Sequence, residues 1–118
     1  MNTRLGSDSG ASVYTIIAEQ SLGNIAWRQG RPAVAEEHFH TALALADELL
    51  RPDHRYTQSL KRDYGVFLGA TGRIAEAVET LRWVLRTQER LLGVPHPQIE
   101  QTAAALRAAT GAGGPETP

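Results

Sequence analysis

The sequence predicts an all-α protein built from repeated helix pairs. Three observations carry this. Sliding residues 13–54 onto 55–96, an offset of 42, superimposes 12 identical residues without a gap, among them Tyr14/Tyr56, Gly23/Gly65, Gly30/Gly72, Ala35/Ala77, Leu43/Leu85 and His54/His96. Within each unit the apolar residues recur three and four positions apart, the mark of a helix with one buried face. No segment of any length alternates apolar and polar residues as a half-buried strand would.

The elements follow in order. Residues 1–12, MNTRLGSDSGAS, are polar and rich in glycine and serine, and are expected to be flexible. A first helix is expected over 13–29, with Val13, Ile16, Ile17, Leu22, Ile25 and Ala26 at helical spacing. Gly30 ends it, because glycine accepts the left-handed geometry of a helix C-terminus. Pro32 suits the first turn of a second helix, expected over 32–50 with Ala35, Phe39, Ala42, Leu43, Ala46, Leu49 and Leu50 on its apolar side. The second unit repeats this with helices over 55–71 and 74–92, and Pro97 opens a fifth helix over 97–109 carrying Ile99, Ala103 and Leu106. The helical domain is thus 13–110, and the tail 111–118 reads as disordered.

The joints between units are LLRPDH at 49–54 and LLGVPH at 91–96. Their leucines are expected to close one helix onto the core. Their prolines break it, and His54 and His96 stand where the next helix begins. Each histidine is therefore expected to accept from a free backbone N–H of the first turn, with Ser12 in the same register ahead of the first helix. Gly23 and Gly65 fall inside helices, where each costs about 1 kcal/mol relative to alanine. Their shared register predicts a close helix–helix approach, with Ala35 and Ala77 as the small partners. Leu43 and Leu85 are expected in the core, where truncation to alanine costs about 2–5 kcal/mol.

The pattern Leu22-Gly23, Gly30, Ala35, Phe39, and again Tyr64-Gly65, Gly72, Ala77, Leu81, resembles the tetratricopeptide repeat. So do the turns GRPAVA and GRIAEA. The longer period and the runs Pro52-Asp53-His54 and Pro95-His96-Pro97 resemble the 42-residue kinesin-light-chain-like variant. The tryptophan often found early in that family's first helix is absent, and Glu19 and Lys61 take its place. HEAT and armadillo repeats, of 40–47 residues, are the minor alternatives. The resemblance covers about 13–109. It implies a right-handed solenoid of antiparallel helix pairs: repeats 13–54 and 55–96, then a C-terminal capping helix.

Composition narrows the function. A net charge of −1 and a pI near 6.4 give no basic field for a phosphate backbone, so nucleic acid is not the expected partner. With no cysteine, disulfides, zinc ribbons and thiol catalysis are excluded. No signal-peptide core and no apolar run of about 18 residues is present, and a cytoplasmic bacterial protein is expected. No phosphate-binding loop or nucleophile motif appears, so the chain is expected not to be an enzyme and to hold no cofactor. His54 and His96 lie in successive units, at least a helix spacing of about 8–10 Å apart, and are not expected to share a metal. His38 and His40 are two apart and diverge on a helix.

The candidate site is a polar row on the first helix: Gln20, Asn24 and Arg28 at i, i+4 and i+8, with Trp27 as an aromatic anchor. Arg62 and Val66 occupy matching places in the second unit, where Arg28 and Arg62 would meet a carboxylate. The resemblance places first helices on a concave groove and gives Asn24 the role of holding a peptide backbone. A solvated helix face is the competing reading. The expected function is a protein–protein interaction module, an adaptor or scaffold, binding a peptide segment or partner protein. Alternatives are a regulatory or sensor component of a bacterial signalling or transcription system, and, further off, an enzyme or metal protein using its histidines. Ile16 and Ile17 beside Val13 are more apolar residues than one stripe needs, so a homo-oligomer through exposed end helices is also expected.

Overall fold

Helix starts, helix ends and one close crossing per pair determine the architecture. The computed structural model describes residues 12–93 and 96–113, the last two by backbone alone. Its helices are α1 (Val13–Arg28), α2 (Pro32–Leu49), α3 (Arg55–Ala70), α4 (Ile74–Leu92) and α5 (Pro97–Gly113). None of the described residues is in a strand. Of the segment 1–12 expected to be flexible, residues 1–11 lie outside the described residues and Ser12 is ordered as a helix cap; the joint residues 94–95 and the tail residues 114–118 also lie outside them.

The three first helices start on the same device. Ser12 Oγ accepts from the Tyr14 N–H at 3.2 Å, and Thr15 completes a capping box. His54 Nδ1 accepts from the Tyr56 N–H at 3.0 Å. His96 Nδ1 accepts from the Gln98 N–H at 3.1 Å. A backbone N–H only donates, so each neutral ring carries its hydrogen on Nε2. His54→Ala should destabilise the protein by about 0.5–2 kcal/mol while His54→Ser or His54→Asn retains most of that. Thermal unfolding of the three variants measures it.

The turns within pairs also repeat. Gly30 and Gly72 adopt φ of 78° and 90°, the left-handed region. The Arg31 N–H reaches the Ala26 carbonyl at 2.9 Å and the Gly30 N–H the Trp27 carbonyl at 2.9 Å. In the second unit Arg73 bonds to Leu68 at 2.9 Å and Gly72 to Gly69 at 3.2 Å. Both are Schellman caps, which satisfy the last carbonyls and reverse the chain.

The chain divides into two compact units, Met1–Leu60 and Lys61–Pro118. In the first, α1 packs on α2 through Ile16, Gly23 and Ala26 against Ala35, Phe39, Ala42 and Ala46, all buried. In the second, Leu68, Ala77, Leu81 and Ala109 form the core, flanked by Tyr64, Val78, Ala105 and Leu106. One polar pair is fully enclosed there: the Thr102 hydroxyl donates to Gln88 Oε1 at 2.7 Å. Neither group is left without a partner, the condition for burying it cheaply.

Glu19 and Lys61, in the tryptophan's register, tie each pair together on its flank. Glu19 Oε1 meets His38 Nδ1 at 2.7 Å. The Lys61 ammonium lies 4.2 Å from the centre of the Trp83 ring, a cation–π contact.

Four expectations need correction. The mid-helix glycines do mark close approaches, but not to Ala35 and Ala77. A Cβ on Gly23 would sit 3.1 Å from the Phe39 ring, and one on Gly65 2.7 Å from Leu81. Each glycine is thus a socket for a large side chain. Leu43 and Leu85 are half-buried, because the facing register is filled by Phe39 and Leu81. The joint leucines do not close onto the core: Leu49, Leu91 and Leu92 are exposed and Leu50 half-buried. The second helices, of 18 and 19 residues, outrun their 16-residue partners, so their last turns overhang. Finally, α5 continues past 109 to Gly113. Thr110 steadies this turn by bonding to the Leu106 and Arg107 carbonyls, and no proline interrupts it before position 115.

Candidate functional site

Helical spacing puts Gln20, Asn24, Trp27 and Arg28 on one side of α1, in the first unit. Arg62 and Val66, four apart, share a side of α3 in the second unit. Each set is coherent by itself. The Gln20 amide is engaged: Nε2 donates to Ser59 Oγ at 3.2 Å, so part of its capacity goes to holding α1 against α3. Asn24 and Trp27 are half-buried, and Arg28 is exposed in the last turn of α1, where a cation complements the helix dipole. Arg62 is not an open guanidinium. Its Nη1 donates to Gln101 Oε1 at 2.8 Å, and its Nη2 stands 3.8 Å from the Asp63 carboxylate.

Val66 is 36% exposed and stands on the wall of an apolar groove of about 250 Å³. Gly65, Gly69 and Ala70 of α3 form one side, with Ala105 and Ala109 of α5 opposite. No lining side chain exceeds valine, so the helix backbones approach closely and leave a smooth trough that suits an apolar side chain. Sequence reasoning found Val66 but not its companions. The signal was present in the Gly65-Val66-Phe67-Leu68-Gly69 spacing and in the alanines of α5. Of those small lining residues only Gly65 carries a reading from sequence, as a packing residue, because a small residue inside a helix ordinarily is one.

The histidines have structural employment. His54 and His96 cap helices. His38 faces Glu19 across the pair, whereas His40 Nε2 lies 3.4 Å from Glu36 on its own helix. The two thus diverge as their spacing requires. Among the described residues no three histidines or carboxylates come together as a metal site would need. No described helix is long and apolar enough to cross a membrane.

Comparison with curated proteins and with solved structures returned no match. The family comparison did: the tetratricopeptide repeat matches residues 14–90, both helix pairs and most of the chain. The Schellman turns at Gly30 and Gly72, the glycine sockets at 23 and 65, and all but the outermost residues of the paired helices fall inside that match, and the chain belongs to the tetratricopeptide repeat family.

Proposed function

We propose that the chain is a non-catalytic, cytoplasmic interaction module that binds a peptide segment or partner protein through the faces of its first helices. Tetratricopeptide repeats generally mediate protein–protein contact, and the particular reading here rests on the groove beside Val66. A solvent-open trough walled by glycine, alanine and valine offers dispersion contacts to an incoming apolar side chain and little else. The Asn24–Arg28 row on α1 supplies polar contacts of the kind that orient a peptide: an amide that both donates and accepts, and a planar cation for a carboxylate.

The test is capture of partners from the native host by the purified chain, with mass spectrometry, followed by direct titration of whatever is recovered. Val66→Arg should weaken binding of the recovered partner by about tenfold or more, since it puts a charge into a trough that the partner's apolar side chain would desolvate. Asn24→Ala/Arg28→Ala should also weaken it while leaving the circular dichroism unchanged. Unaltered affinity in both variants would remove the first-helix faces from consideration.

A further inference from the structure

The three first helices can be compared position by position, because α1, α3 and α5 lie 42 residues apart. Two positions are most informative. Leu60 and Thr102 are both fully buried, whereas Ala18, their counterpart in α1, is exposed. Phe67 and Ala109 are buried, whereas their counterpart Ile25 is 47% exposed. In the second unit this face of α5 meets the preceding pair: Thr102 bonds to Gln88, and Ala109 packs with Leu68, Ala77 and Leu81. The same face of α1 therefore has the register of a docking surface and nothing described upon it. It carries Tyr14, Ile17, Ala18, Ser21, Leu22 and Ile25, all exposed and none charged.

The opposite side of α5 has the reverse character. Where α1 and α3 turn Ile16/Gln58, Gly23/Gly65 and Ala26/Leu68 inward, α5 has Glu100, Arg107 and Thr110, all exposed. Such a polar face is poorly suited to sit on the apolar stripe of another copy, so head-to-tail growth is disfavoured.

The stripe is, however, complementary to itself. Turned end over end about a point between positions 19 and 20, Tyr14 meets Ile25 and Ala18 meets Ser21, with Ile17 and Leu22 on the two flanks of the stripe. The large residues fall at the ends and the small ones at the centre, where helix axes must come closest. In a two-fold interface each residue i meets j while j meets i, and this stripe has that palindromic order. We propose that two copies of the chain pair antiparallel through α1, with the two-fold axis at the Glu19–Gln20 bond. The face is about 24 Å long and 10 Å wide, short of the roughly 800 Å² per partner of a standard interface. The dimer is therefore weak and transient. Gln20, Asn24 and Trp27 lie on a different side of α1 and only Arg28 borders the stripe, so failure of the dimer would leave the proposed peptide face standing.

Sedimentation equilibrium of the full chain from about 1 to 500 µM should show a monomer–dimer equilibrium. Ala18→Lys places like charges beside the axis and should raise the dissociation constant about tenfold or more. Adding Ser21→Glu should return most of that, because residue 18 of one copy faces residue 21 of the other. Both positions are exposed, so thermal melts should stay near wild type. A monomer throughout the range, open-ended growth beyond the dimer, or a dimer indifferent to Ala18→Lys would each overturn the proposal.

Discussion

Replacing Phe39 with alanine is expected to remove about 3–5 kcal/mol of stability. The ring is fully buried in the first unit and inserts against α1 where Gly23 has no side chain. Its loss leaves a cavity that neither helix can close without abandoning the Ile16 and Ala26 contacts. Domains of this size typically hold about 5–15 kcal/mol in total, so the variant should unfold at markedly lower denaturant concentration, with α1 and α2 the elements most exposed to hydrogen exchange. A second substitution sharpens the test. Gly23→Ala alone puts a Cβ 3.1 Å from three ring atoms and offsets the helix-propensity gain of about 1 kcal/mol. In the Phe39→Ala background the ring is gone, and Gly23→Ala should become stabilising. A double-mutant cycle on urea midpoints reads the coupling directly. Additive effects would mean that ring and glycine do not share a site.

Gly65→Ala is expected to destabilise the second unit by about 1–3 kcal/mol, against the usual rule for glycine in a helix. The added Cβ would stand 2.7 Å from Leu81 Cγ and 2.8 Å from Cδ2. Cγ is the branch point of the side chain and not a free end. Leu81 is fully buried among Leu68, Ala77 and Ala109, so α3 and α4 must separate to admit the methyl group. Helix propensity alone would favour alanine by about 1 kcal/mol, and the overlap has to exceed that. Leu81→Ala in the same chain should reverse the sign of the Gly65→Ala effect. Calorimetric unfolding of the four variants decides the matter, and a Gly65→Ala protein more stable than wild type would show that the crossing widens freely.

The parts of this fold legible from sequence are those fixed by local rules. Gly30, Gly72 and Pro32 end and start helices through backbone geometry that only those residue types favour, so four of the five helix bounds could be placed within one residue. The histidine caps were readable because Ser12, His54 and His96 recur at one register. What could not be read depends on how one helix crosses another. Periodicity says that Phe39 and Leu43 lie on the same apolar side, but only the crossing says which one enters the glycine socket. The overhang of Leu49, Leu91 and Leu92 follows from unequal helix lengths, which a list of apolar residues does not reveal. The Gly111–Gly113 turn reads as tail because the run TGAGGPETP has the composition of a disordered segment. In the candidate site the row on α1 was visible as spacing. The bonds from Gln20 to Ser59 and from Arg62 to Gln101 each span 39 residues and leave no mark in local pattern.

The capping histidines have a consequence for how such a chain can grow. A segment running from 13 to 54 begins one residue after a cap and ends on the cap for whatever helix follows; the segment from 55 to 96 does the same. Each is a self-contained cassette that brings its successor's start signal with it. Copies of 42 residues can be duplicated or deleted in frame without leaving an uncapped helix at the seam. An insertion of any other length shifts the starting signal off its helix and rotates the following face by about 100° per residue.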